Sequence, residues 1–298
     1  MSERSPAAAA PPRTVFFLSD YGTQDEFVGV VHAVLLAGSP GVAIVDLTHQ
    51  IAAFDIRSGA LALVRAAPFL GPGVVLAVVD PGVGSGRRGV GLEVTPTGSG
   101  PTFFVGPDNG LLIAAAELAG GGAIRHAVAL TPAPRQARTF DGRDLFAPAA
   151  AALTRGVTLG DLGPVVDPVS LVRIPPPTVA HAALADGRRS LRTEVLWVDR
   201  FGNLQLGVTL ADAGQAQVPA TVDLTVTGST VTGPTVTGPA RTVRTVGTFA
   251  DLARGELGLL LDANGHLAVV AGQASAAALL SIAAGDAVTV TWPSDLAQ

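Results

Sequence analysis

The run Val74-Val75-Leu76-Ala77-Val78-Val79-Asp80-Pro81-Gly82-Val83-Gly84-Ser85-Gly86 decides the fold. Six consecutive apolar residues, four of them valine, predict a short strand buried on both faces, as in a parallel sheet. Asp-Pro-Gly ends it abruptly, because proline lacks the backbone donor a strand needs and glycine favours a turn. Asp80 therefore stands at the strand's carboxyl end, the place where open α/β sheets bind ligands.

Outward from this strand, strand and helix patterns alternate through the first half. Apolar runs at 15–18, 42–45, 103–105 and 124–128 read as further strands, and helical spacing covers 25–37, 56–69, 110–118 and 145–153. The first of these helices is expected to carry acidic residues in its opening turn, the favourable end for negative charge. Alternation at this spacing predicts a largely parallel sheet with helices on both faces. Residues 174–189, rich in proline, alanine and arginine, read as a linker. Short strands follow at 192–198, 204–208, 222–227, 242–246, 257–261 and 267–270, and Asn264-Gly265 marks a hairpin. Val-Thr-Gly triplets starting at 226, 231 and 236 read as an extended hairpin or a loop insertion. The expected organisation is an α/β domain over 13–173 and a small β-barrel over 190–298, with 1–12 a disordered tail.

Hydrophobic residues make up 48% of the 298 and charged ones 14%, so two cores are easily filled. A net charge of −5 argues against a nucleic-acid partner, whose phosphates need a basic face. Neither cysteine nor lysine occurs, which excludes disulfides, thiolate and Schiff-base catalysis, and a Walker-type phosphate loop. Two uncharged stretches approach membrane length, 27–45 and 267–285. Ser39-Pro40 and Gly272-Gln273 break them, so each reads as a strand and a helix joined by a turn. No signal peptide is visible, and a soluble cytoplasmic protein is the expectation. The five histidines show no metal-ligand spacing, and no metal is expected.

Asp20 closes the first strand as Asp80 closes the third, so two carboxylates can point into one crevice and take the hydroxyls of a ribose or a water. A lone aspartate there would be explained by capping. Two of them, one inside a glycine-rich loop, favour a site. The loop's glycines lack the dinucleotide-fingerprint spacing and no helix is expected after it. Arg87 or Arg88 at its end can fold back on Asp80, since an arginine–carboxylate fork fixes geometry. In Thr139-Phe140-Asp141-Gly142-Arg143-Asp144, Asp144 is expected to cap the following helix, leaving Asp141 to face the crevice. Asp199-Arg200-Phe201-Gly202-Asn203 forms a turn, where Asn203 offers an amide to a heterocycle or is simply a turn residue. His49 reads as structural and His32 has no informative neighbour.

These segments resemble those of the S-adenosyl-L-methionine (SAM) hydroxide adenosyltransferases, the SAM hydrolases related to fluorinases and chlorinases. The likeness runs from about residue 14 to 292 through SDYGTQDEFVG, VDLTHQIAAFD, VDPGVGSGRRG, GPDNGLL, TFDGRDLFAPAAA, VDRFGNL and LDANGHLAV. It implies an N-terminal α/β domain, a C-terminal β-barrel, and a homotrimer or pair of trimers. The site would lie between one subunit's N-domain and the next subunit's C-domain. By this resemblance Asp20 holds the ribose hydroxyls and Phe54 packs on the sugar, with Asp25 and Gly142 among the substrate contacts. Asp80 and Arg87 match two members of an Asp-Arg-His triad that positions water. Asp199 matches the carboxylate for the methionine ammonium, and Asn264 a contact to the methionine carboxylate. Asn203 matches the adenine-reading amide, with Phe201 and Phe249 beside the ring and Ala271 through Gln273 along its edge. One position departs: Asp141 stands where the family has histidine.

The implied reaction is hydrolysis of SAM to adenosine and L-methionine, with no metal or organic cofactor. Halogenation is disfavoured, since two carboxylates beside a halide would each repel it by about 4 kcal/mol at 4 Å and an effective dielectric of 20. A SAM- or adenosine-binding sensor with little turnover is the non-enzymatic alternative.

Overall fold

A computed structural model describes residues 13–95, 100–132, 139–212, 219–229 and 235–293. The tail expected at 1–12 and the middle of the Val-Thr-Gly run lie outside these residues. The chain divides between Ile174 and Pro175 into two compact units.

The first unit is built on a six-stranded sheet of β1 (Thr14–Ser19), β2 (Ile44–Thr48), β3 (Gly73–Val78), β4 (Gly89–Val94), β5 (Thr102–Pro107) and β6 (His126–Ala129), ordered β2-β1-β3-β5-β4-β6. The pairs β1–β2, β1–β3 and β3–β5 are parallel, and β4 runs antiparallel to β5 and β6. Sequence reading leaves out β4. Its glycines are packing sites: a Cβ on Gly89 would meet Leu145 at 2.7 Å, and one on Gly91 would meet Leu159 at 2.8 Å.

Four helices flank this sheet: α1 (Phe27–Gly38), α2 (Ile56–Ala66), α3 (Ile113–Ala119) and α4 (Ala147–Thr154). β3 is buried throughout, and its two-residue period sends Val74, Leu76 and Val78 into a core with Val31 and Leu35 of α1 and the alanines of α4. Small residues let those two helices touch, since a Cβ on Gly38 would lie 2.8 Å from Ala151. Just past β3, Val79 faces the other way, 3.0 Å from where a Cβ on Gly59 of α2 would sit. The sheet is thus covered on both faces, and its strand ends converge where Asp20 and Asp80 stand. α1 starts at Phe27, later than expected, so no acidic side chain lies in its first turn.

The second unit contains β7 (Ala180–Ala183), β8 (Arg189–Val198), β9 (Leu204–Thr209), β10 (Thr221–Ser229), β11 (Thr235–Thr237), β12 (Arg241–Thr245), β13 (Leu257–Leu261), β14 (His266–Ala271), α5 (Ala276–Leu280) and β15 (Ala287–Trp292). Seven of these strands close into a barrel, in the order β10-β12-β13-β14-β9-β8-β15 and back to β10, with β7 and β11 as side pairings. β7 falls within the residues read as a linker and pairs with β8. Alternation fills the interior: Leu191 and Val195, Leu204, Leu206 and Val208, Val222 and Leu224, Leu267 and Val269, and Val288 and Val290 share one core. The turn at Asn264-Gly265 joins β13 to β14 as expected. Among the described residues no helix is long and apolar enough to cross a membrane.

Candidate active site

In the first unit a cavity of about 620 Å³ opens at the carboxyl ends of β1 and β3, within the size range of small-ligand sites. Asp20, Phe54, Asp80, Asp141 and Gly142 line it, five of the residues singled out from sequence. Arg87 sits behind them and ties two of the acids together. Its Nε donates to Asp80 Oδ1 at 2.8 Å, its Nη2 donates to Asp80 Oδ2, and the same Nη2 donates to Asp141 Oδ2 at 2.7 Å. All three side chains are nearly buried, at 12% exposure for Arg87, 5% for Asp80 and 6% for Asp141. Such a charge-assisted cluster holds its geometry tightly. The guanidinium also lies over the Phe146 ring, 5.2 Å from its centroid. Its Nη1 is buried without a protein partner.

Arg88, the other candidate, goes elsewhere: its Nε donates to the buried Asp108 at 2.9 Å and its Nη2 to the carbonyl of Ser170. The loop Pro81–Gly86 closes through local bonds, with Ser85 Oγ donating to the Gly82 carbonyl and accepting from the Arg87 N–H. That brings Arg87 back over Asp80 within seven residues.

Asp141 reaches the cavity from a single π-helical turn, Gly142–Phe146, ahead of α4. Such turns carry one extra residue per turn and are frequent at functional sites. Asp144 is not the N-cap: that position falls to Asp141, whose side chain makes no capping bond, and Asp144 lies in the first turn and pairs with Arg143 at 2.7 and 2.8 Å. Gly142 is needed for space, since a Cβ there would collide with the Tyr21 hydroxyl and lie 3.1 Å from the ring carbon that carries it.

Asp20 accepts the backbone N–H of Phe54 at 2.9 Å. Phe54 has φ 69°, in the left-handed region that a bulky residue enters only when its surroundings impose it, and the residue is 71% exposed. Burial pushes the Asp20 carboxyl above its ordinary value; the Phe54 N–H works against this and the Asp80 charge adds to it. Tyr21, which sequence reasoning misses, lines the cavity and packs edge-on to Phe17 and Phe140. Burial, then Asp20, Asp80 and Asp141, push its hydroxyl well above the usual tyrosine range, so it stays protonated. Asp25 is exposed ahead of α1 and does not line the cavity, whereas its neighbour Glu26 does.

A second cavity, about 550 Å³, lies in the second unit and is lined by Phe201, Asn203, Phe249, Ala271, Gln273, Ala274 and Ser275. Five of these seven were expected from sequence. Asp199 organises the turn below it. One oxygen accepts the N–H groups of Phe201 and Asn203 at 2.8 and 2.9 Å, and the other accepts the Asn203 amide at 2.8 Å. Gly202 (φ 82°) presses on Ser275, and its carbonyl accepts the Ala277 N–H of α5 at 3.0 Å. Phe249 stands on a short turn closed by a capping box between Thr248 and Asp251. Phe201 and Phe249 are 70% and 54% exposed, and Gln273 has φ 46°. Asn264 lies in the β13–β14 turn, its N–H bonded to Asp262 at 2.8 Å, and does not line this cavity.

Two family models match the chain, the SAM hydroxide adenosyltransferase N-terminal domain over residues 15–163 and the C-terminal domain over 193–289. The chain is similar to the (R)-S-adenosyl-L-methionine hydrolase of Salinispora tropica, 42% identical over 95% of this chain and 99% of that one. It is more distantly similar to a fluorinase of an Actinoplanes species, 27% identical over 93% and 97%. Among solved structures, an uncharacterized conserved protein from Thermotoga maritima superposes with a TM-score of 0.77 at 27% identity, covering 93% of this chain and 99% of that one. The chain belongs to the SAM hydroxide adenosyltransferase family.

Proposed function

We propose that this protein hydrolyses S-adenosyl-L-methionine to adenosine and L-methionine. The observation that carries the reading is the Asp80–Arg87–Asp141 cluster beside Asp20 in one cavity. Water oxygen bonds to the ribose 5′ carbon as the carbon–sulfur bond breaks. The bond's electron pair goes to the sulfonium, which leaves as a neutral thioether, so no general acid is required. The water's proton passes to a carboxylate and on to solvent. The remaining work is alignment and water activation, which suits fixed positioning groups.

In this reading Asp80 and Asp141 orient the water and accept its proton, and Arg87 holds both in place. Asp20 takes the ribose hydroxyls and Phe54 covers the sugar. Phe201 and Phe249 flank the adenine, Asn203 and the segment Ala271–Gln273 read its edge, and Asp199 and Asn264 serve the methionine end. We further propose that the protein is a cytoplasmic homotrimer in which the α/β unit of one copy and the barrel unit of the next share a substrate. Membership of the SAM hydroxide adenosyltransferase family supports this.

The test is incubation with SAM in ¹⁸O-labelled water. Adenosine with the label at its 5′ hydroxyl is expected. Adenine release, or unlabelled adenosine, overturns the mechanism, and tight binding without product favours a sensor.

A further inference from the structure

We infer that His32, Asp46 and His49 form a binding site for a divalent transition-metal ion of the zinc class. The sequence spacing offers no such set. The fold assembles it from three places: His32 on α1, Asp46 on β2, and His49 just beyond that strand. His32 Nε2 lies 2.9 Å from Asp46 Oδ1 and His49 Nε2 lies 3.0 Å from the same oxygen. All three ligand atoms fall within 4.8 Å of one another.

His49 points most directly to a ligand. It is 6% exposed, and its Nδ1 lies 2.8 Å from the hydroxyl of the fully buried Ser19. A bond through Nδ1 fixes the ring and leaves the other nitrogen to bind, the arrangement typical of metal-bound imidazoles. That other nitrogen, Nε2, is buried, and among the described residues its one close polar neighbour is the Asp46 carboxylate at 3.0 Å. A metal ion supplies what this lone pair lacks. Phe17 stacks edge-on against both imidazoles, at 4.6 and 5.9 Å, and provides an apolar wall.

Bonds of about 2.0–2.2 Å in a tetrahedral site place ligand atoms roughly 3.3 Å apart. The two nitrogen–oxygen separations are a few tenths of an ångström shorter, so a small rotation of the Asp46 carboxylate admits the ion. Two imidazoles and one carboxylate suit Zn²⁺, Co²⁺ or Ni²⁺ and not Mg²⁺ or Ca²⁺. Asp46 is 42% and His32 28% exposed, so the ion is reachable from solvent and completes its shell with water. None of the three lines the cavity at Asp20. The His49 carbonyl accepts the Gly22 N–H at 2.8 Å, so the ion would brace α1, β2 and the loop that carries Asp20.

The experiment uses the full chain, stripped with a chelator and dialysed against Zn²⁺, with bound metal measured by elemental analysis and Co²⁺ as a spectroscopic probe. One Zn²⁺ per chain, a Co²⁺ visible spectrum of a low-coordinate nitrogen–oxygen site, and a Zn²⁺-dependent rise in unfolding temperature are expected. His32→Gln, at a partly exposed position, and Asp46→Asn should each weaken binding at least about tenfold and abolish the thermal shift. Absence of stoichiometric binding at micromolar Zn²⁺, or binding that both variants retain in full, overturns the assignment.

Discussion

The carboxylate of Asp20 accepts the backbone N–H of Phe54 from across 34 positions of sequence, at 2.9 Å, and holds that residue at φ 69°. One acidic side chain thus serves the loop that covers the sugar as well as, in the proposed complex, the sugar itself. Asp20→Ala should weaken adenosine binding by about 1.5–3 kcal/mol, the value of a charge-assisted hydrogen bond. It should also speed amide exchange at Phe54. Calorimetry with adenosine checks the first effect and hydrogen exchange the second; unchanged affinity would place the ribose elsewhere.

Phe54 itself separates strain from binding. Leaving the left-handed region to glycine relieves roughly 1–2 kcal/mol, and glycine's greater freedom in the unfolded chain returns about half of that. Phe54→Gly should therefore lie within about 1 kcal/mol of wild-type stability. The same variant should lose affinity for SAM. Denaturant unfolding and a binding titration on one preparation test both halves, and a large loss of stability would contradict the strain.

The raised pKa of Asp20 gives a pH dependence of definite sign. In the folded state the group holds its proton to higher pH than in the unfolded chain. Its contribution to stability is therefore present below the ordinary carboxylate value and is lost as pH rises through the raised one. Asp20→Asn should become the more favourable variant, relative to wild type, on passing from about pH 4 to pH 7. Binding runs the other way, because the ionised form is the one that accepts ribose hydroxyls. Affinity for adenosine should fall on acidification at a pH above the usual aspartate range, and Asp20→Asn should lack this limb.

Asp141 and Arg87 are expected to differ in kind. Asp141→Ala leaves Arg87 its bonds to Asp80, so the protein should fold with a loss of about 1–3 kcal/mol. Turnover should drop while adenosine affinity stays nearly unchanged, since water positioning is felt in the transition state. Arg87→Ala strands two buried carboxylates and should cost about 3–5 kcal/mol as well as activity. Asp141→His retains an acceptor for Arg87 and should keep or raise turnover. Single-turnover rates set beside adenosine dissociation constants decide the matter. Wild-type rates in Asp141→Ala with a dead Arg87→Ala would make Asp141 a bystander.

Much of this site is legible in sequence because strand ends announce themselves. A run of buried residues stopping at Asp80, or at Asp20, places a carboxylate at a strand's carboxyl end from the sequence alone. The Asp199–Asn203 turn is legible for a similar reason, its residue types being those that bond their own backbone. Other parts rest on contacts that no local pattern encodes. The bond from Arg87 to Asp141 spans 54 positions, and the choice of Arg87 over Arg88 depends on Asp108 claiming the latter. β4 is hidden because its glycines answer to Leu145 and Leu159 rather than to strand propensity. Asp144 has the composition of an N-cap, but the π turn begins earlier and puts Asp144 inside its first turn. Tyr21 stands inside SDYGTQDEFVG, but that segment does not say where its ring goes; its place between Phe17 and Phe140 is a product of packing.

The contact between Gly142 and Tyr21 also constrains the order in which such a sequence can drift. A methyl at position 142 is blocked by the hydroxyl of Tyr21, whereas the carbon behind that oxygen, at 3.1 Å, and Phe140, at 3.3 Å, would have to yield only a few tenths of an ångström. Alanine at 142 is therefore closed to a chain with tyrosine at 21, and phenylalanine there removes the severest of its contacts. The two substitutions form a ratchet: the hydroxyl has to leave before the methyl can arrive, and once the methyl is in place the hydroxyl cannot return. Epistasis of this kind arises from volume alone and would operate even in a lineage that had stopped using the cavity.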